Sequence, residues 1–436
     1  MASDSFEKLS RYRWIIFTVL AFGYLLVYFH RLCPAVVAVD MMRDLKAGGT
    51  LIGFLGAAYF YPYALMQLPA GLLSDSWGPR KTITLFFTVA FVGSILLGMA
   101  PNLFWAIFGR ALVGIGVAML FVPTMKVLAE WFRVREFASM TGILMAMGGV
   151  GSLTAASPLA LLSSWIGWRM SFVVVGLITL VLAVLVWVFV RDRPADLGWS
   201  LPSESKRAAP QPIPLMEGVR KVLSSPSFWP LAVWFFFDCA IFFSFGGLWG
   251  GPYLMHVYGL SKAQAGQILS MLGIGLIVGS PLLSFVSNNL FRARKPVLIL
   301  CSVITLLLTS FMAFCTDTIP ASGLYVLCLG LGIFSSAVVV IAFTATKELF
   351  PVQMAGTATG LVNLFPFAGG AVFQPVLGYI LESQGKVQGT YTLAGYRYAF
   401  LTLFFCGVVA FVAGVFVKET MAEKTVKPAA GAFVEK

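Results

Sequence analysis

Three basic residues, Arg31, Arg110 and Lys126, interrupt long apolar stretches of the chain. A charge in such a stretch is costly and is kept where it faces a cavity or a partner. Tyr24, Tyr28 and Arg31 follow one another at intervals of four and three, so on a helix they share one face. A guanidinium flanked by phenol hydroxyls suits a carboxylate, which it can hold through two parallel N–H groups. The competing expectation is a structural ion pair between Arg31 and Asp40 or Asp238. Lys126 stands near one end of its stretch, where it either lines an anion path or snorkels to the membrane interface. Asp238 lies deep in another apolar stretch with no charged neighbour in sequence. A carboxyl in that position is a candidate to take up and release a proton; the competing expectation is a pair with Arg31 or Lys126. Two polar stripes, Tyr59, Tyr63 and Gln67 on one segment and Asn363, Phe367, Gly370 and Gln374 on another, are candidates to line the cavity or to hydrogen-bond helices together. Trp249 is expected either to gate that cavity or to sit in the aromatic belt at the membrane edge.

The elements that must position these residues are membrane helices. Of 436 residues, 59% are apolar and 11% charged, against roughly 25% charged in a soluble domain. Apolar blocks such as 14–29, 82–100 and 171–190 match the ~20 residues that span the hydrocarbon core. Lipid offers no hydrogen bonds, so such blocks form helices. Hydropathy predicts twelve spans, at 14–40, 51–74, 81–100, 102–131, 137–163, 169–190, 228–257, 262–290, 295–315, 320–347, 354–383 and 394–417. Arg31 then lies ~25 Å along its helix from Trp14. Pro62, Pro69 and Pro123 fall inside spans and are expected to bend them.

The net charge of +12 does not point to nucleic acid, because it is one-sided. Of the 30 Lys and Arg, 21 fall on the side of the N-terminus, six on the other side and three inside spans. The positive-inside rule then puts both termini in the cytoplasm, in a cell (inner) membrane. Six scattered cysteines and two histidines have no metal-ligand spacing. No nucleophile–base pair and no nucleotide-binding phosphate loop stands out, so neither an enzyme nor a cofactor is expected. Gly273, Gly275 and Gly279 lie inside a span with no preceding strand, and helix packing explains them.

The chain repeats itself. Glu130-Trp-Phe-Arg-Val with Thr141-Gly142 recurs as Glu348-Leu-Phe-Pro-Val with Thr359-Gly360; Arg80-Lys81 recurs as Arg294-Lys295, and Gly167-Trp-Arg as Gly395-Tyr-Arg. The most polar stretch lies between the repeats. The expected organisation is a six-helix half over 1–190, a cytoplasmic linker over 191–227, a second six-helix half over 228–417 and a cytoplasmic tail over 418–436. Inverted or repeated halves of this kind enclose a substrate site near the midplane.

The loop Gly71-Leu-Leu-Ser-Asp75-Ser-Trp-Gly78-Pro-Arg80-Lys81, together with Gly109-Arg110-Ala-Leu-Val-Gly114-Ile-Gly116, resembles the two signatures of the major facilitator superfamily. That resemblance implies an all-α, twelve-helix fold in two pseudo-symmetric halves, working by alternating access. Asp75, Arg80, Glu130 and Arg110 are then the gating residues, with Asp75 at a neighbouring helix N-terminus and Glu130 as the acid for Arg80.

Four stretches are similar to the organophosphate:phosphate antiporter branch: Arg13-Trp14 with Phe22, Tyr24, Tyr28 and Arg31; Pro123, Lys126 and Trp131; Arg191-Asp192-Arg-Pro194; and Glu348-Leu-Phe-Pro351 followed by Ala355-Gly-Thr-Ala-Thr-Gly360. The resemblance makes Arg31 the anion-binding arginine of the first helix and gives Lys126 a basic position in the fourth. The branch's arginine in helix seven has no counterpart in Ile241–Trp249, and its lysine in helix two is Gln67. A carboxylate-type anion is therefore expected in place of a divalent phosphate ester. The expected substrate-binding set is Arg31, Tyr24, Tyr28, Lys126, Gln67, Asn363 and Gln374, with Asp238 as the proton-coupling residue. Expected partners are a small anionic substrate, protons and the lipid bilayer, with the chain acting as a monomer. The alternatives are organophosphate exchange, cation or drug export, and a membrane sensor that binds a ligand without carrying it.

Overall fold

Apolar blocks of this length leave the backbone one way to satisfy itself in lipid, and the chain takes it: nearly every apolar block is helical. The computed structural model describes residues 2–198 and 215–421. The middle of the linker and the tail beyond 421 lie outside the described residues. Among the described residues ten helices are long and apolar enough to cross a membrane, and the bent pair Gly49–Gln67 and Pro69–Ser76 makes an eleventh crossing. One of the ten, Ser139–Phe189, runs for 51 residues, ~77 Å at 1.5 Å per residue, more than twice the hydrocarbon thickness. Gly167, at φ 77° and ψ 161°, turns the chain within it. That turn gives two passes and twelve spans in all. Large apolar side chains such as Leu65, Phe104 and Phe416 are about 70% exposed on the outside of the bundle, where lipid covers them.

Proline shapes the spans that matter. Span one breaks at Cys33, between the helices Ala2–Leu32 and Pro34–Asp44. Pro34 has no N–H to give to the carbonyl of His30, and the Cys33 thiol donates to that oxygen instead, at 3.4 Å. Arg31 thus sits beside a break. Span two bends by 55° around Pro69. Span four breaks ahead of Pro123, between Leu103–Ala118 and Phe121–Trp131. Span seven opens into a π-helical turn over Phe245–Trp249. Span eleven breaks at Asn363, between Val352–Val362 and Leu364–Ser383.

The repeat seen in the sequence is matched by repeated capping. Span three begins at Pro79, and the Arg80 backbone N–H donates to Asp192, just past span six, at 2.7 Å. Span nine begins at Lys295, and the backbone N–H groups of Arg294 and Lys295 donate to Glu419, just past span twelve, at 2.9 Å each. In each case an acid from the last helix of a six-span set neutralises the N-terminus of the third. Burial by itself would raise the Glu419 carboxyl, but backbone donors from Arg294, Met421, Lys295 and Thr420 outweigh it and hold the group below the ordinary glutamate range.

Candidate functional site

The Arg31 side chain is 5% exposed and reaches the middle of the bundle, where the first six spans meet the last six. Its guanidinium carbon lies 4.5 Å from the ring centre of Tyr28, 5.1 Å from Tyr63, 5.5 Å from Phe243 and 4.9 Å from Phe367. Four spans, one, two, seven and eleven, thus supply one ring each. No carboxylate pairs with Arg31 among the described residues, and its Nε is buried without a hydrogen-bond partner. The two acids proposed as structural partners are elsewhere. Asp40 is bonded to Lys262 and lies 3.6 Å from Arg43, and Asp238 faces Ser335. Tyr24 is a layer removed: its ring packs against Tyr28 at 5.4 Å, and its hydroxyl points to the Met145 sulfur at 3.4 Å.

The two polar stripes come together across the same plane. Asn363 Nδ2 donates to Gln67 Oε1 at 2.8 Å, and Gln67 Nε2 donates to the Tyr63 carbonyl at 3.3 Å. Gln374 Nε2 donates to the Phe243 carbonyl at 2.8 Å, while the Gln374 carbonyl accepts from Trp249 Nε1 at 2.9 Å. Trp249 is fully buried here, which overturns the aromatic-belt expectation for it.

The two faces of the molecule differ around this plane. On the face away from the N-terminus the two sets of spans are in close contact. A Cβ on Gly53 would lie 2.4 Å from Pro375 Cα, and one on Gly49 2.6 Å from the Gly378 oxygen. Lys262 bonds to Asp40, and Thr50 donates to Glu382 through N at 3.0 Å and Oγ1 at 2.6 Å. On the face that carries the N-terminus, Gly71, Gly142, Gly356 and Gly360 each have nothing within 4 Å of where a Cβ would be. Spans two, five and eleven therefore part from their opposite numbers beyond the Gln67–Asn363 bond, and the molecule is open on the terminal face.

Comparison with known proteins decides the family. The family model described as Major Facilitator Superfamily matches residues 20–374 and again 248–435. The chain belongs to the major facilitator superfamily. It is similar to the probable sulfoacetate transporter of Cupriavidus necator, at 23% identity over 88% of this chain and 90% of that one. It is also similar to the hexuronate transporter of Bacillus subtilis, at 23% identity over 88% and 91%. Among solved structures, a bacterial homologue of the human lysosomal transporter Spinster, inward-facing and unoccupied, superposes with a TM-score of 0.71 at 18% identity over 95% of this chain and 97% of that chain. This last likeness is one of fold.

In this superfamily member the remaining expected residues separate into three places. Lys126 does not join Arg31. Its Nζ donates to Asp75 at 2.7 Å and to the Ser74 carbonyl at 3.0 Å, on the terminal face. The four-carbon stem reaches the loop acid more readily than the buried site. Asp75 is therefore a partner of Lys126 and not a helix cap; Asp192 has that part. Arg80 does not pair with Glu130 either. Its Nε donates to the Trp187 carbonyl at 2.8 Å, and its guanidinium stacks on the Trp187 ring at 4.2 Å. The corresponding pair in the second repeat does form, with Arg294 Nη2 3.2 Å from Glu348. Arg110 lies away from the gating loop altogether. It is buried between spans one and two, over the Tyr59 ring at 4.8 Å and 3.7 Å from the Cys33 sulfur, with Nε and Nη2 unpartnered.

Asp238 is fully buried in span seven and takes a single hydroxyl, that of Ser335 at 3.3 Å, on its Oδ2; its Oδ1 has no partner. Ser335 belongs to a π-helical turn in span ten, Gly332–Ala337, an irregularity that often marks functional helices. Phe243 was not anticipated from the sequence. Its span carries phenylalanine at 228, 235, 236, 237, 242 and 243, so nothing in the local pattern distinguishes the one that meets the cation.

Proposed function

We propose that the chain is a secondary transporter that carries a small organic anion of carboxylate type across the cell (inner) membrane by alternating access, as a monomer with both termini in the cytoplasm. The observation that carries this reading is the Arg31 guanidinium, buried between the two sets of spans with no acid beside it. A structural arginine in a membrane interior is ordinarily paired, because placing a charge at a helix centre costs about 2.5–3.5 kcal/mol, and an incoming carboxylate supplies the missing partner. The similarity to transporters named for sulfoacetate and hexuronate supports an anionic cargo. With the termini cytoplasmic, as the one-sided basic charge implies, the open face is the inward one.

Proton coupling through Asp238 is the second reading, favoured by its burial beside one hydroxyl and no cation. An anion entering against a negative-inside potential needs a compensating charge, about 2.3 kcal/mol per elementary charge per 100 mV, and a proton supplies it.

The test is uptake of labelled carboxylates into proteoliposomes. Arg31→Ala is expected to abolish uptake without reducing insertion, and Arg31→Lys to leave under a tenth of it, since an ammonium lacks the planar fork. Unchanged apparent affinity in Arg31→Ala removes the anion-site reading. Binding without flux in the parent protein makes it a sensor.

A further inference from the structure

The surroundings of Arg31 say what sort of body the anion has. Rings line it from four spans, and they are packed face against face as well as around the cation. Phe243 and Phe367 stack with 13° between planes and centres 5.9 Å apart, and Tyr63 lies 4.2 Å from Phe367. Phe60 closes the same cluster, 5.1 Å from Phe243. The amides that border this cluster are mostly occupied, and Gln374 Oε1 is the buried acceptor left over. Gln67 is held by Asn363 and the Tyr63 carbonyl, and Gln374 donates to the Phe243 carbonyl. The Tyr59 hydroxyl donates to the Val27 carbonyl. Tyr28 and Tyr63 are the two rings of the four around Arg31 that carry hydroxyls, enough to help seat one carboxylate and too few for a chain of alcohols.

Resting on the reading of Arg31 as the anion site, we propose that the cargo is an aromatic monocarboxylate, with its carboxylate on Arg31 and its flat apolar body against the stacked pair of Phe243 and Phe367. The charge count fits one carboxylate: a single guanidinium stands in the aromatic box. The ring faces fit a flat apolar body, which gains offset or edge contacts with them. A sugar acid fits poorly, because its several hydroxyls outnumber the free polar groups of the box, and each one set against a ring face loses a water without replacement, at a cost of roughly tenfold in affinity apiece. Phe243 and Phe367 come from the second set of spans and Tyr28 and Tyr63 from the first, so a body held on Arg31 within this box touches both moving parts.

The experiment is equilibrium binding to the purified full-length protein, using phenylacetate, glucuronate and glycerol 3-phosphate as probes. Phenylacetate is expected to bind at least tenfold more tightly than either of the others. Phe367→Ala is expected to weaken phenylacetate about tenfold and leave glucuronate within twofold, and Phe367→Leu, which keeps apolar volume, to lose less. Glucuronate binding as tightly as phenylacetate, with Arg31→Ala still abolishing it, overturns the aromatic-body inference and leaves the anion site standing. So does an equal loss for both probes in Phe367→Ala. No binding of any of the three overturns both readings.

Discussion

A buried charge declares itself by what it lacks. Arg31 and Asp238 sit in the same bundle, yet among the described residues each is without an oppositely charged partner, although a direct pair between them was a reasonable expectation. The positions on span seven explain it. Asp238 and Phe243 are five residues apart, about 140° around the helix; Phe243 faces Arg31, and Asp238 faces Ser335 on span ten. The two charges can therefore respond to different ligands, one to an anion and one to a proton. Asp238→Asn keeps the size of the side chain and its hydrogen-bonding to Ser335 but cannot carry a proton. It is expected to stop pH-driven accumulation in proteoliposomes while leaving anion counterflow within about twofold. Undiminished pH-driven accumulation in that variant, or a strict sodium requirement in the parent, rules the role out.

Elements meet closely on one face and stand apart on the other, and both states are written in glycine. Spans two and eleven touch backbone to backbone at Gly49, Gly53, Pro375 and Gly378. A valine at position 53 would drive carbon into Pro375, so Gly53→Val is expected to hold that face open. Labelling of a cysteine introduced near position 56 by a membrane-impermeant thiol reagent from that side should rise at least fivefold over the same cysteine in the parent. An equal labelling rate contradicts closure through these glycines.

The helix caps give a second element-scale test. Glu419 caps span nine and titrates below the ordinary glutamate range because backbone donors outweigh its burial. A depressed carboxyl stabilises the fold fully above its unfolded value, and the contribution fades as pH falls through the lower folded one. Acidification from neutrality to about pH 4 should therefore lower the melting temperature more for the parent than for Glu419→Gln. Partial exposure limits the difference to about 1 kcal/mol, and identical pH slopes for the two proteins exclude the cap.

At the scale of the whole molecule, the terminal face is open and the charged residues named on it bond within their own six-span sets: Asp75 with Lys126 and Arg80 with Trp187 and Asp192 in the first, Arg294 with Glu348 and Glu419 in the second. Closing that face brings spans two and eleven together beyond Gln67–Asn363, next to Asp75. Asp75 is about 75% exposed in the present state and free to change partner. Asp75→Asn is expected to slow turnover by about tenfold and to change substrate affinity less than twofold, read from uptake and equilibrium binding on the same preparation. A loss of affinity with unchanged turnover would place Asp75 at the substrate instead of the gate.

Composition and pattern alone determined the solvent, the number of crossings and the family signatures. Lipid forces helices of fixed minimal length, and such lengths can be counted along a chain. The same local logic singled out Arg31, Asp238, Gln67, Asn363 and Gln374, because a polar residue inside an apolar span stands out against its neighbours. Partners were another matter. The side chain that meets Arg31 from span seven is one phenylalanine among many, and the acid that caps span nine lies 125 residues from it in sequence. The choice of Lys126 for Asp75, and the absence of an Arg80–Glu130 pair where Arg294 and Glu348 do pair, depend on how far each helix end stands from the next. Those distances are set by the packing of twelve helices at once, and only the tertiary structure decided them.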